Sequence, residues 1–547
     1  MIKYSIVLLS VFLLSFNSQV NKACTVIAIG KKASADGSVI VSHTDAGPDC
    51  RLHYIPSQKF KTGSQAPVYW GMIDTGRALG DYGEVIGHIP QVEQTNAYFQ
   101  TAYPQMNTHQ LAIGESTLSQ RDELKLDRSI CKQIMTIEQA QAFALQRCTK
   151  AEDALKLITE LLETYGFLPS CVDESESLVI ADTEEIWVLE VFSVGNEWKK
   201  DSGKPGCIWA AQRVPDDHAM IIPNWSIIKQ INLEDKANYR ASSNYMQEAI
   251  DRGWYNPSSG RPFIWQEAYS PIPREWATSR FWLFYASFAP NYTNWPDRFT
   301  ESVWEGENQY TQYVEPLSIY PFSVKPERKL SVQDVMAFQR STFSGTLYDK
   351  ENASAWYYPN EEGQLTKSAF ATPFPTEEMR RILNINRRRN VARARGEYGM
   401  IAQLRGWLPN EVGGVYWFYV DNAYTSAYVP IYTGVTDVAE CYKVYNPAYF
   451  QENSIRWCVD FVDNLMYLRW QDAVKKLYEK RNPLEARFFA EQAGIDEKAQ
   501  ALIKKNPKKA QEYLTEITIQ RMNEVHQLFQ ELRLDLISEF TNNKQGI

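Results

Sequence analysis

The sequence predicts an α+β fold built from layered, mainly antiparallel sheets, with a helical extension at its C-terminal end. Three observations carry that prediction. β-Branched and apolar runs come in pairs separated by turn signals. Stretches with helical period lie between those pairs, and from about residue 455 onward apolar residues recur at three- to four-residue spacing. Strands dispersed in hairpins with helices between them favour antiparallel sheets over a doubly wound parallel sheet.

Residues 1–23 read as an export leader: Lys3 gives a positive start, Ser5 to Phe16 an apolar core, and Asn17 to Ala23 a polar segment ending in a small residue. That core is too short to span a bilayer, and no later stretch reaches the ~18 uninterrupted apolar residues a membrane helix needs. The expected mature chain is therefore exported, periplasmic or extracellular, and begins at Cys24.

Thr25 to Ile29 and Ser38 to Thr44 then form a hairpin around Asp36-Gly37. Antiparallel partners return to where they started, so Asp45 should lie near Cys24. Residues 46 to 110 read as loop-rich, ending in a short strand at Gln110 to Thr117. Residues 136 to 165 carry two helices, the first capped by Thr136 with Glu138 in its first turn, the second with Ala154, Leu157, Ile158, Leu161 and Leu162 on one face.

Three further hairpins follow. Ser177 to Asp182 pairs with Ile186 to Phe192; Cys207 to Val214 pairs with Ala219 to Ile222 around Pro215-Asp216-Asp217-His218; and Gly413 to Asp421 pairs with Ser426 to Tyr432. The second of these leads directly into Pro223-Asn224-Trp225. In the C-terminal helices Met522, Val525, Leu528, Phe529, Leu532 and Ile537 mark an amphipathic face, with similar periodicity at 461 to 478. That face suits a stabilising appendage; a homo-oligomer contact is its alternative use.

The charge balance, 57 basic against 66 acidic residues, and the lack of a dense Lys/Arg track exclude nucleic acid as a partner. The 31 Tyr, 24 Phe and 16 Trp fit a well-packed enzyme or an aromatic-lined binding protein. Eight cysteines, Cys24, Cys50, Cys131, Cys148, Cys171, Cys207, Cys441 and Cys458, contain no C-x-x-C pair, so no zinc or thioredoxin-like motif is indicated. His43, His53, His88, His109 and His218 stand in no metal-ligand spacing and read as structural or surface residues.

An N-terminal cysteine carries its own chemistry. A free α-amine titrates near pH ~8, so part of it is unprotonated at neutral pH and accepts a thiol proton without a histidine. Acyl transfer then needs an acceptor to orient the amine and donors around the oxyanion. Asp45 suits the first role and the Asn224 side-chain amide the second. On local grounds Cys24 is equally a buried structural thiol or a lipid-attachment site, although Asn21-Lys22-Ala23 lacks the apolar residue such a site requires. Asp45 could cap its loop, and Asn224 could form a side-chain turn.

Cys24-Thr25, followed by Gly30-Lys31-Lys32-Ala33-Ser34-Ala35-Asp36-Gly37-Ser38, resembles the start of the mature cysteine dipeptidases of the N-terminal-nucleophile (Ntn) hydrolases, a family that includes the secernins. Four more blocks follow in family order: Gly114-Glu115-Ser116-Thr117; Trp187 to Val191; Trp209 to Asp217; and Gly413 to Trp417 with Tyr428 to Tyr432.

The resemblance, which spans roughly residues 24 to 435, implies a four-layer αββα sandwich, and with the helical periodicity it divides the mature chain into a catalytic domain at 24–454 and an extension at 455–547. It also implies Cys24 as nucleophile, with hydrolysis of dipeptides or short peptides and neither metal nor cofactor. Asp45 and Asn224 match the wider superfamily's acid and oxyanion asparagine by position, but His43-Thr44 stands where those relatives carry an arginine. Glu115, Arg213 and Asp216 are substrate-binding candidates because they lie in the matching blocks; each is also an ordinary turn or strand-edge charge. Two other functions stay open: an amidase acting on N-acyl amino acids or conjugated acids, and a lipid-anchored binding protein without catalysis.

Overall fold

The computed structural model describes residues 24–541 apart from 46, 48, 75–77, 79, 171–173, 272–274, 293–303, 306–308, 311–319, 347 and 386–387. The leader expected at 1–23 and Cys171 lie outside the described residues. Two large sheets organise the chain, and every pairing within them is antiparallel. The six-stranded sheet has the order Ala219–Ile222, Val26–Ile29, Val39–Asp45, Tyr398–Leu404, Gly414–Val420, Val429–Tyr432. The eight-stranded sheet runs Tyr239–Ala241, Ile208–Arg213, Ile186–Phe192, Ser175–Ala181, Ala112–Leu118, Pro104–Asn107, Tyr98–Gln100, His53–Ile55. The fold is thus α+β with mostly antiparallel sheets and a helical C-terminal region.

The first hairpin forms where the sequence places it. Val26–Ile29 pairs with Val39–Asp45, and Gly37 supplies the positive φ (87°) that the Asp-Gly turn requires. Both strands are almost wholly buried, the first apolar throughout and the second apolar at Val39–Val41 and polar from Ser42 to Asp45, which fits inner strands covered on two faces. The hairpin packs across Ala112–Leu118 of the other sheet. Gly114 permits that approach: a Cβ there would stand 2.9 Å from the Ser42 carbonyl oxygen and 3.0 Å from Val26 Cγ1.

One expected hairpin is replaced by a crossing. Ile208–Arg213 pairs with Ile186–Phe192 in the eight-stranded sheet, whereas Ala219–Ile222 pairs with Val26–Ile29 in the six-stranded one. The turn residues between them bond to the first hairpin: Lys32 and Ala33 N–H donate to the Asp216 carbonyl, and Gly30 N–H to that of His218. Pro-Asp-Asp fixes a change of direction without choosing the partner. The stretch 46–110 also holds more strand than expected, including the ribbon Gln65–Trp70 with Glu84–Pro90.

Helix Ile137–Arg147 is capped by Thr136, whose hydroxyl accepts the Gln139 N–H, and it packs with Ala151–Tyr165 on the eight-stranded sheet. Helices Ile455–Met466, Trp470–Lys505 and Pro507–Phe540 pack on the last strands of the other sheet. In the last helix Met522, Val525, Leu528, Phe529 and Leu532 are buried as the pattern predicts, while Leu536, not Ile537, takes the next core position. These helices share one continuous apolar core with the sheets. Buried ion pairs Arg340–Glu485 (2.6 Å) and Arg405–Asp496 tie Trp470–Lys505 to the body of the chain. Among the described residues no helix is long and apolar enough to cross a membrane.

Candidate active site

Strand register delivers the site. A bridge joins Thr25 to Thr44, and one more step of the same register sets Cys24 opposite Asp45. On the other side Val26 pairs with Ile222, and the chain continuing through Pro223 brings Asn224 alongside Cys24. The third element comes from the facing sheet, where Ala112–Leu118 carries Glu115, Ser116 and Thr117 to the same place. Cys24 is 2% exposed and Glu115 wholly buried.

The Cys24 thiol lies 3.4 Å from Asp45 Oδ1 and 3.3 Å from Glu115 Oε2. Thr117 Oγ1 donates to Glu115 Oε1 at 3.3 Å, and the Tyr398 hydroxyl donates to Asp45 Oδ2 at 3.2 Å. Tyr398 pairs with Asp45 across the strand. Burial, reinforced by the carboxylates of Glu115, Asp45 and Glu176, pushes the Cys24 thiol well above its ordinary value, while a backbone hydrogen bond from Thr117 acts the other way. Burial also lifts Glu115 to about 7. Burial first, and the surrounding acids second, keep the thiol neutral.

Arg280, on helix Glu275–Phe288, clamps the beginning of the strand. Its Nη1 donates to the Cys24 carbonyl (2.7 Å) and Thr25 Oγ1 (2.6 Å), and its Nη2 to the Pro223 carbonyl (2.8 Å) and Asn224 Oδ1 (2.9 Å). Asn224 has φ +67°, a left-handed conformation that asparagine tolerates better than most residues. Its side-chain amide donates to the Thr117 carbonyl (2.9 Å) and Ser116 Oγ (3.4 Å).

Arg393 interacts electrostatically with Cys24 and Asp45, and burial lowers it to about 10. Arg280, Arg393 and Tyr398 join the site without a sequence signal that points to it. Arg280 sits in an aromatic-rich helix and Arg393 in a run of arginines, and nothing in either local pattern marks proximity to residue 24.

His43 is buried with its ring against Tyr103 and Tyr398, centroids 5.6 and 5.7 Å away. Burial lowers it to about 4, so the ring is neutral. Its Nδ1 accepts the Glu115 backbone N–H at 3.3 Å. A ring nitrogen, the Cys24 sulfur and a Glu115 carboxylate oxygen lie within 4.8 Å of one another, close enough to surround a metal ion. The Nδ1 bond, however, puts the ring proton on Nε2, so neither nitrogen offers a free lone pair in this arrangement.

The structure brings Cys24, Asp45, Asn224 and Glu115 together, and leaves Arg213 and Asp216 apart. Those two pair with each other at 2.9 Å, and with Glu185 and Lys32 respectively, beside the Gly30 end of the first strand. Six residues at ~3.3 Å each separate that end from Cys24, roughly 20 Å.

Seven cysteines are described, and all seven are free thiols. Cys24 stands apart from Cys50 and Cys207, whose thiols are likewise pushed up by burial, in having two carboxylates within 3.4 Å of its sulfur.

Comparison with known proteins gives this centre a context. The chain is 21% identical over 552 residues to a probable dipeptidase B of Streptococcus pyogenes serotype M1, covering 100% of this chain and 99% of the relative. It is 24% identical over 436 residues to a probable dipeptidase of Salmonella dublin, covering 76% and 81%. It is 24% identical over 438 residues to a probable dipeptidase B of Lactococcus lactis subsp. lactis (strain IL1403), covering 77% and 76%. The model of peptidase family C69 matches residues 23–482, starting one residue ahead of Cys24 and taking in every strand that builds the site. The chain with this buried cysteine at the head of its first strand belongs to peptidase family C69.

Proposed function

We propose that the protein is an exported dipeptidase whose nucleophile is Cys24, exposed as the first residue by removal of residues 1–23. The observation that carries the reading is the position of the Cys24 sulfur between Asp45 Oδ1 (3.4 Å) and Glu115 Oε2 (3.3 Å), where the family match begins. Cutting the bond before Cys24 creates an ammonium group within a nest of carboxylates, which offsets the charge that keeps the thiol neutral. The layered sheets and flanking helices fit a four-layer αββα sandwich of the Ntn type over 24–454, with the helices from 455 as an extension.

The α-amine takes the thiol proton, with Asp45, itself held by Tyr398, orienting it. The thiolate attacks the peptide carbonyl and the new C–S bond gives a tetrahedral oxyanion. Asn224 stabilises that oxygen by exchanging its longer bond to Ser116 Oγ, aided by the backbone of Thr117. Collapse breaks the C–N bond, the α-ammonium protonates the leaving amine, and water then hydrolyses the thioester. The carboxylates around the thiol suit a substrate with a free N-terminal ammonium, which favours dipeptides over N-acyl amides; Glu115 is the substrate-facing member of that group. Arg213 and Asp216 serve the turn that links the two sheets.

N-terminal sequencing of the exported protein, with hydrolysis assays of the wild type and Cys24→Ala on dipeptides and on N-acyl amino acids, tests the reading. It requires a chain starting at Cys24, release of amino acids from dipeptides, and no turnover by Cys24→Ala. A diacylglyceryl mass on Cys24, or turnover of N-acyl substrates alone, would overturn it.

A further inference from the structure

We propose that His43 is a catalytic residue of this enzyme, a neutral hydrogen-bond donor to the oxyanion formed when Cys24 attacks. The inference rests on the nucleophile reading above and adds a residue to it.

Three observations converge. First, the tautomer is set by the fold: the Glu115 N–H donates to Nδ1 at 3.3 Å, which leaves the proton on Nε2. Second, that Nε2–H is fully buried and has no hydrogen-bond partner among the described residues. Its nearest carboxylate oxygen, Glu115 Oε2, is 3.9 Å away, beyond hydrogen-bond distance. Buried donors are almost always satisfied, so an orphan beside a nucleophile calls for an acceptor that arrives with the substrate. Third, the place is right. Glu115 Oε2 lies 3.3 Å from the Cys24 sulfur, and a ring nitrogen of His43 and that sulfur lie within 4.8 Å. Nε2 and the sulfur both flank Glu115 Oε2, at 3.9 and 3.3 Å, so an oxygen on a carbon bonded to that sulfur comes toward the ring N–H.

Asn224, the other donor, must exchange a bond before it can reach the oxyanion. Both hydrogens of the Asn224 amide point at acceptors, the Thr117 carbonyl and Ser116 Oγ, and its oxygen is held by Arg280. His43 needs no partner to let go. In the step itself no proton leaves the ring: the thiolate pair forms the C–S bond, the carbonyl π pair moves onto oxygen, and Nε2–H donates to that oxygen until the C–N bond breaks.

A donor differs from a general base in what it does to the pH profile. The groups facing His43 are Cys24, Asp45, Glu115, Tyr103 and Tyr398, and the neighbouring strand pairs it with Met400. A neutral donor adds no limb of its own to kcat between pH 5 and 8.

The experiment compares the wild type with His43→Gln, which keeps an N–H near the Nε2 position, and His43→Leu, which keeps the bulk without a donor. Each variant is checked by circular dichroism, thermal unfolding and N-terminal sequencing. With folded, correctly cut protein, His43→Leu should lose about 10²–10³-fold in kcat with KM changed only a few-fold. His43→Gln should recover at least a tenfold part of that loss, with the limbs of the pH profile unmoved. If His43→Leu turns over at the wild-type rate, or the profile of His43→Gln loses a limb present in the wild type, the donor role is overturned. If both leucine and glutamine variants fold, are cut and are equally inactive, the N–H is not what matters and the role is likewise overturned. Persistence of activity in Cys24→Ala would instead remove the nucleophile reading beneath it.

Discussion

The Arg280 guanidinium donates to the Cys24 carbonyl at 2.7 Å and, from its other nitrogen, to Asn224 Oδ1 at 2.9 Å. One wholly buried side chain thereby fixes the proposed nucleophile and the residue beside it, from a helix 256 positions downstream. A planar fork holds two acceptors on each arm, which an ammonium group cannot do. Arg280→Lys is expected to lower kcat/KM by about 10²-fold, because small misplacements of a nucleophile cost that much. It should also lower the unfolding midpoint, since buried acceptors lose their donors. Parallel peptide hydrolysis and thermal unfolding check both; a midpoint shift with unchanged kcat/KM would show the clamp to be structural only.

Tyr398 holds the far oxygen of Asp45 at 3.2 Å, while its ring packs against His43 and Phe418. Tyr398→Phe keeps the packing and removes the hydroxyl. A hydrogen bond to a charged group contributes roughly 1.5–3 kcal/mol, so kcat/KM should fall about 10- to 100-fold with the far-ultraviolet circular dichroism unchanged. Wild-type kinetics in this variant would mean that Asp45 does not need its anchor.

Glu115 makes stability depend on pH in a defined direction. Its carboxyl is raised from 4.5 to about 7 in the fold, chiefly by burial. Between those values the native state binds the proton and the unfolded chain does not, so its contribution is fully present below pH 4.5 and lost as pH rises to 7. Glu138 and Asp463, also raised to about 7, act in the same sense. His43 and His53, lowered to about 4, act oppositely between pH 4 and 6.5. The single-site test is Glu115→Gln: relative to wild type its stability should rise by roughly 3 kcal/mol at most from pH 4.5 to 7. Urea midpoints across that range measure it, and parallel curves for the two proteins would contradict it.

Much of this centre was legible in the sequence because it depends on one hairpin. A β-branched run, an Asp-Gly turn and a second run fix a register, and register alone puts Asp45 opposite Cys24. The family-like block at Gly114 to Thr117 likewise pointed to the strand that supplies Glu115. What local patterns do not contain is partner choice. The turn at Pro215–His218 looks like a hairpin closure, yet its carbonyls bond to the first hairpin and the chain changes sheets. The short strands between 46 and 110 lack the alternation that marks a strand. The periodicity at 461 to 478 continues further than it shows, through Pro483 inside Trp470–Lys505, where Arg481 and Glu485 anchor the helix to Tyr424 and Arg340. Arg280 meets the Cys24 carbonyl, and Arg393 interacts with Cys24 and Asp45, only through tertiary folding.

The proposed chemistry depends most directly on the α-amine of Cys24. A chain purified with Cys24 as its first residue is to be compared, on the same dipeptide, with one that retains Ala23 through an uncut terminus. A positioned base contributes about 10²–10⁴-fold, so the retained residue should lower kcat by that factor while both proteins unfold at similar temperatures. Equal turnover by the two chains would contradict the role of the Cys24 α-amine as the base.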